Sequence, residues 1–165
     1  MRTQKGFSLI ELLIVVVIIG IIAAIAIPNL LASRRASNEG SAISSIRTLH
    51  GAQSTYAATY GNGNYAGATT LDQTGLTALS GVSLVDSTLG SGTKSGYVFN
   101  GLKIDKSSSA PAQFMFSAVP ATTSGVTQTG SRRFGVCTDG VIMADSTLTD
   151  FADIPSVQAG TPLNN

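Results

Sequence analysis

The chain has 165 residues, room for one modest domain and one additional element. Its basic and acidic side chains nearly balance, at a net charge of +1, which argues against a surface built to hold nucleic acid or another polyanion. A single cysteine, Cys137, excludes both an internal disulfide and a multi-thiolate metal site.

Residues 7 to 27 form an apolar run whose one charge is Glu11. As a helix this run would extend about 31 Å, enough to cross the hydrocarbon core of a bilayer. It is too long for the apolar core of a secretory signal peptide, and no small-x-small site clearly ends it. Arg2 and Lys5 precede it and Arg34 and Arg35 follow it, so flanking charge does not orient it. A carboxylate in hydrocarbon costs about 2.5–3.5 kcal/mol at mid-span and less towards the edge, so Glu11 requires a partner. The span holds no basic residue, and the nearest available cation is an amino terminus created just upstream.

The segment Lys5-Gly6-Phe7-Ser8-Leu9-Ile10-Glu11 resembles the signal of type IV prepilins and pseudopilins. The resemblance implies that a prepilin peptidase cuts between Gly6 and Phe7 and that Phe7 is then N-methylated. It also implies that Glu11 pairs with the N-terminal amine of a neighbouring subunit during assembly. Taking Arg2 and Lys5 from ten basic side chains leaves eight, against nine acidic ones. The resemblance is close over residues 5 to 35 and architectural beyond them.

The helical pattern continues past the apolar run. Ile43, Ile46, Leu49, Gln53, Tyr56 and Tyr60 recur at spacings of three and four, the stripe of an amphipathic helix. Arg35, Glu39 and Arg47 fall largely off this stripe, and Arg35 and Glu39 are spaced for a surface ion pair. Gly61-Asn62-Gly63-Asn64 should end the helix. Pro28 lacks an N–H and crowds the carbonyl of Ala24, and Gly20 is a second weak point. Two readings follow for these residues: a fixed kink, or a segment that straightens or unwinds when subunits pack. His50, beside Leu49 with no ligating neighbour on its helix, reads as structural.

Residues 61–95 are rich in Gly, Ser and Thr, and Leu71, Leu76 and Leu79 suggest a brief helix or a packed loop. Strands are expected over 97–104, bulged at Asn100-Gly101, then over 114–119 up to Pro120, 133–138 and 141–144. Asp139-Gly140 reads as a two-residue hairpin turn. Thr138 would then face Val141, and Phe134, Val136, Val141 and Met143 would share the face laid on the helix, with Cys137 and Ile142 on the other. Arg132-Arg133 reads as a solvated edge rather than a contact for DNA or an anionic surface.

The expected fold is α+β: a long N-terminal helix, half transmembrane and half amphipathic, packed against a C-terminal antiparallel sheet. The expected organisation is a leader at 1–6, a transmembrane and assembly helix at 7–27, an amphipathic half at 28–60 and a head at 61–165. Many relatives in the resembled family close a C-terminal loop with a disulfide, and this chain lacks the cysteines for one. Residues 145–165 are then held by packing, by an ion, or loosely. Asp145, Asp150 and Asp153 could offer oxygen ligands to calcium, although no EF-hand spacing is present. The pattern holds no catalytic constellation, P-loop or cofactor motif.

The resemblance implies a structural subunit rather than an enzyme: a homo-oligomeric type IV pilus subunit stored in the inner membrane and assembled by a membrane platform and an ATPase into an extracellular fibre. The alternative on the same motif is a pseudopilin of a type II secretion system, in a periplasmic pseudopilus. A signal-anchored enzyme or binding module would instead show a pocket with converging polar groups.

Overall fold

The computed structural model describes residues 6–163. Its chain contacts divide into two units, residues 1–34 and 35–165. The first helix, α1 (Leu9–Thr59), contributes to both.

In the first unit α1 is continuous through Gly20 and Pro28. The side chain of Asn29 donates to the Ile25 carbonyl at 3.1 Å, beside the carbonyl of Ala24 that the proline ring leaves without its usual donor. Every large apolar side chain from Phe7 to Leu30 is exposed, from Val15 at 48% to Phe7 at 85%. Isolated exposed leucines are ordinary, but an unbroken apolar column on all sides of a helix is not, and it marks a surface that meets lipid or protein.

The second unit packs the remainder of α1 under a sheet. After α1 come α2 (Thr74–Gly81), α3 (Ser87–Gly90), β1 (Thr93–Lys94), β2 (Tyr97–Ile104), β3 (Gln113–Pro120), β4 (Arg133–Cys137), β5 (Ile142–Asp145), α4 (Ile154–Gln158) and β6 (Thr161–Pro162). The six strands form one antiparallel meander in chain order. Ala42, Ile46, Leu49 and Gln53 of α1 are buried at the alternating three-and-four spacing that keeps one helix face inward. Tyr97, Phe99, Phe114, Phe116, Phe134 and Val136 meet them from the sheet. Each such side chain stabilises the fold by about 1.5–3 kcal/mol when fully buried. Tyr60, expected on the stripe, is 58% exposed because the chain leaves the helix there. Asn62 and Gly63 take positive φ of 49° and 85°, and Gly63 N–H donates back to the Ala57 carbonyl, which terminates the helix where the Gly-Asn run predicts. Gln53 then secures the departing chain, its amide exchanging two 2.8 Å bonds with the Ala66 backbone.

Three sequence expectations are corrected. The bulge at Asn100-Gly101 is absent: Asn100 pairs with Ser117 and Gly101 with Phe116 in an unbroken ladder. The glycine serves side-chain clearance instead, since a β-carbon there would lie 2.4 Å from the Phe116 ring. The hairpin register is shifted by one residue, with Val136 opposite Ile142 and Gly135 opposite Met143. Its loop follows the three-residue pattern, with Gly140 at φ 76° and its N–H bonded to the Cys137 carbonyl. Ile142 therefore joins Phe134 and Val136 on the helix side, Met143 joins Cys137 on the opposite side, and Val141 is exposed. Finally, Leu71 precedes α2 rather than belonging to it, and packs with the second cluster.

That second cluster lies on the outer face of the sheet. Met115, Cys137 and Met143 are covered by Phe151, Ile154 and Val157 from the C-terminal segment. Of the three possibilities for this segment, the structure shows packing. Asp153 caps α4 in a reciprocal box with Ser156, and β6 returns to pair with β5.

Candidate functional site

Gly6, Phe7 and Ser8 precede the first helical residue and are exposed. The Gly6–Phe7 peptide therefore lies in accessible, non-helical backbone. Residues 1–5, with Arg2 and Lys5, lie outside the described residues. The carboxylate of Glu11 folds back to accept a 2.9 Å hydrogen bond from the Ser8 backbone N–H. Ser8-Leu9-Ile10-Glu11 has the Ser-x-x-Glu spacing of a capping box, and the bond is the one its acidic member makes. The first turn of a helix also carries partial positive charge, which favours a carboxylate there. Sequence reading attended to the charge of Glu11 and passed over this spacing, although it was visible. Glu11 is thus positioned at the helix start by its own chain, on the exposed end of the apolar column.

The polar groups of the second unit form internal pairs. Glu39, expected on the surface beside Arg35, is only 6% exposed. One of its oxygens accepts from Ser131 N at 2.8 Å and Ser131 Oγ at 2.7 Å, and the other from Arg132 Nε at 3.0 Å and Nη2 at 2.8 Å. Burial pushes the carboxyl up, but the two Ser131 bonds and the Arg132 guanidinium outweigh it and hold Glu39 below the ordinary carboxylate range. Arg35 instead donates to the Gln128 carbonyl, and Asn38 to that of Thr129. The local pair lost because the β3–β4 loop brings a denser set of donors onto this turn of α1.

Arg132 and Arg133 each make an ion pair, Arg132 while remaining exposed and Arg133 largely shielded from solvent. Consecutive strand residues point to opposite faces, so Arg132 reaches α1 while Arg133 turns outward. Arg133 bonds Asp145 at 2.7 Å and the carbonyls of Thr149 and Asp150 at 2.8 and 3.1 Å, and its guanidinium lies 3.9 Å from the centre of the Phe151 ring.

The calcium candidates are not brought together. Asp145 accepts from the Thr147 backbone and from Arg133, which lower its pKa, Asp150 accepts from Asn100 at 2.7 Å, and Asp153 caps α4. Among the described residues no group of three His, Cys, Asp or Glu side chains is placed to hold a metal ion. His50 stacks at 5.6 Å from Phe114 and lies within 3.5 Å of the Thr138 carbonyl, beside the Gly140 turn. Burial, with Asp139 adding to it, pushes the Cys137 thiol up to about 12. An open cavity of about 420 Å³ is lined by Arg132 and Asp145 among others, and both of these are already paired elsewhere.

The chain's first 27 residues match the family described as the prokaryotic N-terminal methylation motif. The N-terminal segment is similar to those of type IV pilus subunits and of type II secretion system core protein G. The type IV wide pilus major component PilA4 of Thermus thermophilus is 64% identical over 39 residues, covering 24% of this chain and 30% of that protein. The type II secretion system core protein G of Vibrio cholerae is 41% identical over 56 residues, covering 34% of this chain and 38% of the relative. The type IV major pilin protein PilA of Myxococcus xanthus is 48% identical over 53 residues, covering 32% of this chain and 24% of the relative. The chain therefore matches less than two-fifths of the length of each of these relatives. No solved structure matches it significantly.

Proposed function

We propose that this chain is a structural subunit of a type IV pilus, not an enzyme. On this reading a prepilin peptidase cleaves it between Gly6 and Phe7, and Phe7 is N-methylated. The apolar part of α1, long and apolar enough to cross a membrane, holds the subunit in the inner membrane with residues 61–165 outside the cytoplasm. A membrane platform and a cytoplasmic ATPase then draw it into a homo-oligomeric fibre.

The observation that carries this reading is the apolar column from Phe7 to Leu30, exposed on every side and bearing Glu11 near its start. Lipid satisfies such a surface during storage, and the same surface on other copies satisfies it in a fibre. Glu11 supplies what apolar packing lacks, a defined axial position. Apolar helices can slide past one another at little cost, whereas a carboxylate in hydrocarbon has one favourable location, opposite a cation. The new amine of Phe7 on an adjacent copy is that cation. In the isolated subunit the Ser8 N–H holds the carboxylate in place beforehand.

The second reading, a pseudopilin of a type II secretion system, is favoured by the similarity to core protein G. The pilus reading is preferred because Asp145, Asp150 and Asp153 are each engaged separately and form no evident calcium loop.

Intact mass analysis of fibres sheared from cells tests the proposal. A subunit beginning at Phe7 and carrying one methyl group is the expected species. Sheared fibres lacking this chain, with the processed protein confined to the cell envelope, would favour the pseudopilin. A membrane-bound monomer retaining its first six residues would sink both.

A further inference from the structure

Residues 146–160 leave the sheet at the end of β5 and return to it at β6, which pairs with β5 through Ala144–Thr161 and Met143–Pro162. Both ends of the segment are thus fixed at one ladder, and the stretch between them can lift without any strand pairing being broken. We propose that residues 146–160 form a lid over the outer face of the sheet, opening as a unit ahead of global unfolding, with Arg133 as its latch.

The outer face of β4 is built to receive this segment. Arg133, Gly135 and Cys137 alternate along it on one side. Arg133 is held from the fixed side by Asp145 and grips the lid through the carbonyls of Thr149 and Asp150 and the face of Phe151. Gly135 leaves the flat place on which the lid rests, because a β-carbon there would come within 2.8 Å of Val157 and 3.0 Å of Phe151. Cys137 closes the far end, its Sγ 3.9 Å from the Ile154 carbonyl. Asn100 of β2 adds a grip on the Asp150 carboxylate at 2.7 Å. Beneath the lid lie Met115, Cys137 and Met143, all nearly inaccessible. A few charged hydrogen bonds to two carbonyls therefore fasten an apolar contact that has its own hinge at each end. Segments fastened in this way open at lower free energy than the core they cover.

Because Cys137 is the chain's sole cysteine and lies under the lid, its alkylation reports opening. The full chain in detergent micelles is exposed to N-ethylmaleimide, and the labelling rate is followed across urea concentrations below the unfolding transition. In the wild type, labelling should depend on urea much less steeply than global unfolding does. R133Q should label about tenfold faster or more, since it loses charge-assisted bonds to the lid. G135A, which wedges the lid from beneath, should act in the same direction. K94Q, which removes the separate Lys94–Asp86 pair, should label at the wild-type rate. Wild-type labelling as steep in urea as global unfolding would overturn the proposal. So would wild-type labelling rates in both R133Q and G135A. If R133Q does not fold, the urea dependence of the wild type decides alone.

Discussion

Glu39 should be the polar residue of the second unit whose neutralisation costs most. E39Q keeps the volume of the side chain but converts one acceptor oxygen into a donor. That NH2 must face either Ser131 N and Oγ or the Arg132 guanidinium; the N–H groups can only donate, whereas the Ser131 hydroxyl can turn to accept. At least one of four bonds is lost, with a donor then facing a donor, and the bonds that remain are no longer made to a charged group. Hydrogen bonds to a charged group contribute about 1.5–3 kcal/mol each. The Arg132 side chain, however, is 44% exposed and can be rehydrated if the amide turns that way. The net loss should therefore be near the low end, ~2 kcal/mol at neutral pH. For a chain of this size that corresponds to a fall in the melting midpoint of about 4–8 °C. The pH dependence provides an internal check. The Glu39 pKa is lowered in the folded state, so its stabilising contribution is complete above the ordinary carboxylate pKa and is lost as pH falls through the folded value. The gap between wild type and E39Q should close on acidification, because protonated Glu39 resembles the amide. Asp86 and Asp145, whose pKa values are also lowered, are present in both proteins and cancel in the difference. The assay is thermal melting by circular dichroism of the full chain in detergent at neutral and acidic pH. A gap of less than about 1 °C at neutral pH, or one that persists unchanged in acid, would refute the reasoning.

Two further predictions concern the N-terminal segment. E11V removes a charge from the apolar helix, so membrane insertion should be retained or improved while fibre yield drops at least tenfold; normal yield in sheared preparations would remove its role in register. G6L places a branched side chain at the residue preceding the proposed cut, so uncut precursor should accumulate in the membrane fraction; mature-sized protein on a gel would contradict the cut site.

The elements that local chemistry determines were legible in the sequence. The long helix, its Gly-Asn terminus and the strands around their aromatic residues follow from periodicity and turn formers, and the structure places them within a residue or two. The misplaced features were those settled by contacts distant in sequence. Asp139-Gly140 suits a two-residue and a three-residue hairpin alike. The choice falls to Thr138, whose hydroxyl accepts from the Phe114 backbone N–H and so faces β3 instead of extending the pairing with β5. Arg35 and Glu39 have correct spacing for a local pair, yet the partners of both residues lie about ninety positions later in the chain. The small elements α3, β1, α4 and β6 lack enough periodic residues to be visible, although Ser95-Gly96, with φ of 49° and 74°, was a readable turn between β1 and β2. At the candidate site, the Gly6-Phe7-x3-Glu11 signal could be read directly, whereas the capping bond to Ser8 needed the geometry.

On the proposed reading, the scarcity of charge has a physical rationale. A fibre places many copies of the head side by side, and a strongly charged head would repel its neighbours at every contact. Only 12% of residues are charged, and the cleaved chain would carry eight basic side chains against nine acidic. Several of these charges already pair within the second unit, as in Glu39–Arg132, Arg133–Asp145, Lys94–Asp86 and Lys103–Asp105. Such pairs direct little field outward, so the force between adjacent copies is left to the apolar column, which is strong but insensitive to register. Glu11 differs in place: it is the one charge of the apolar run, and among the described residues its carboxylate accepts from the Ser8 backbone N–H. On that reading, a nearly neutral head leaves the one charge held at the start of the apolar helix to distinguish one axial position from another, which is how a single carboxylate could set the repeat of a fibre.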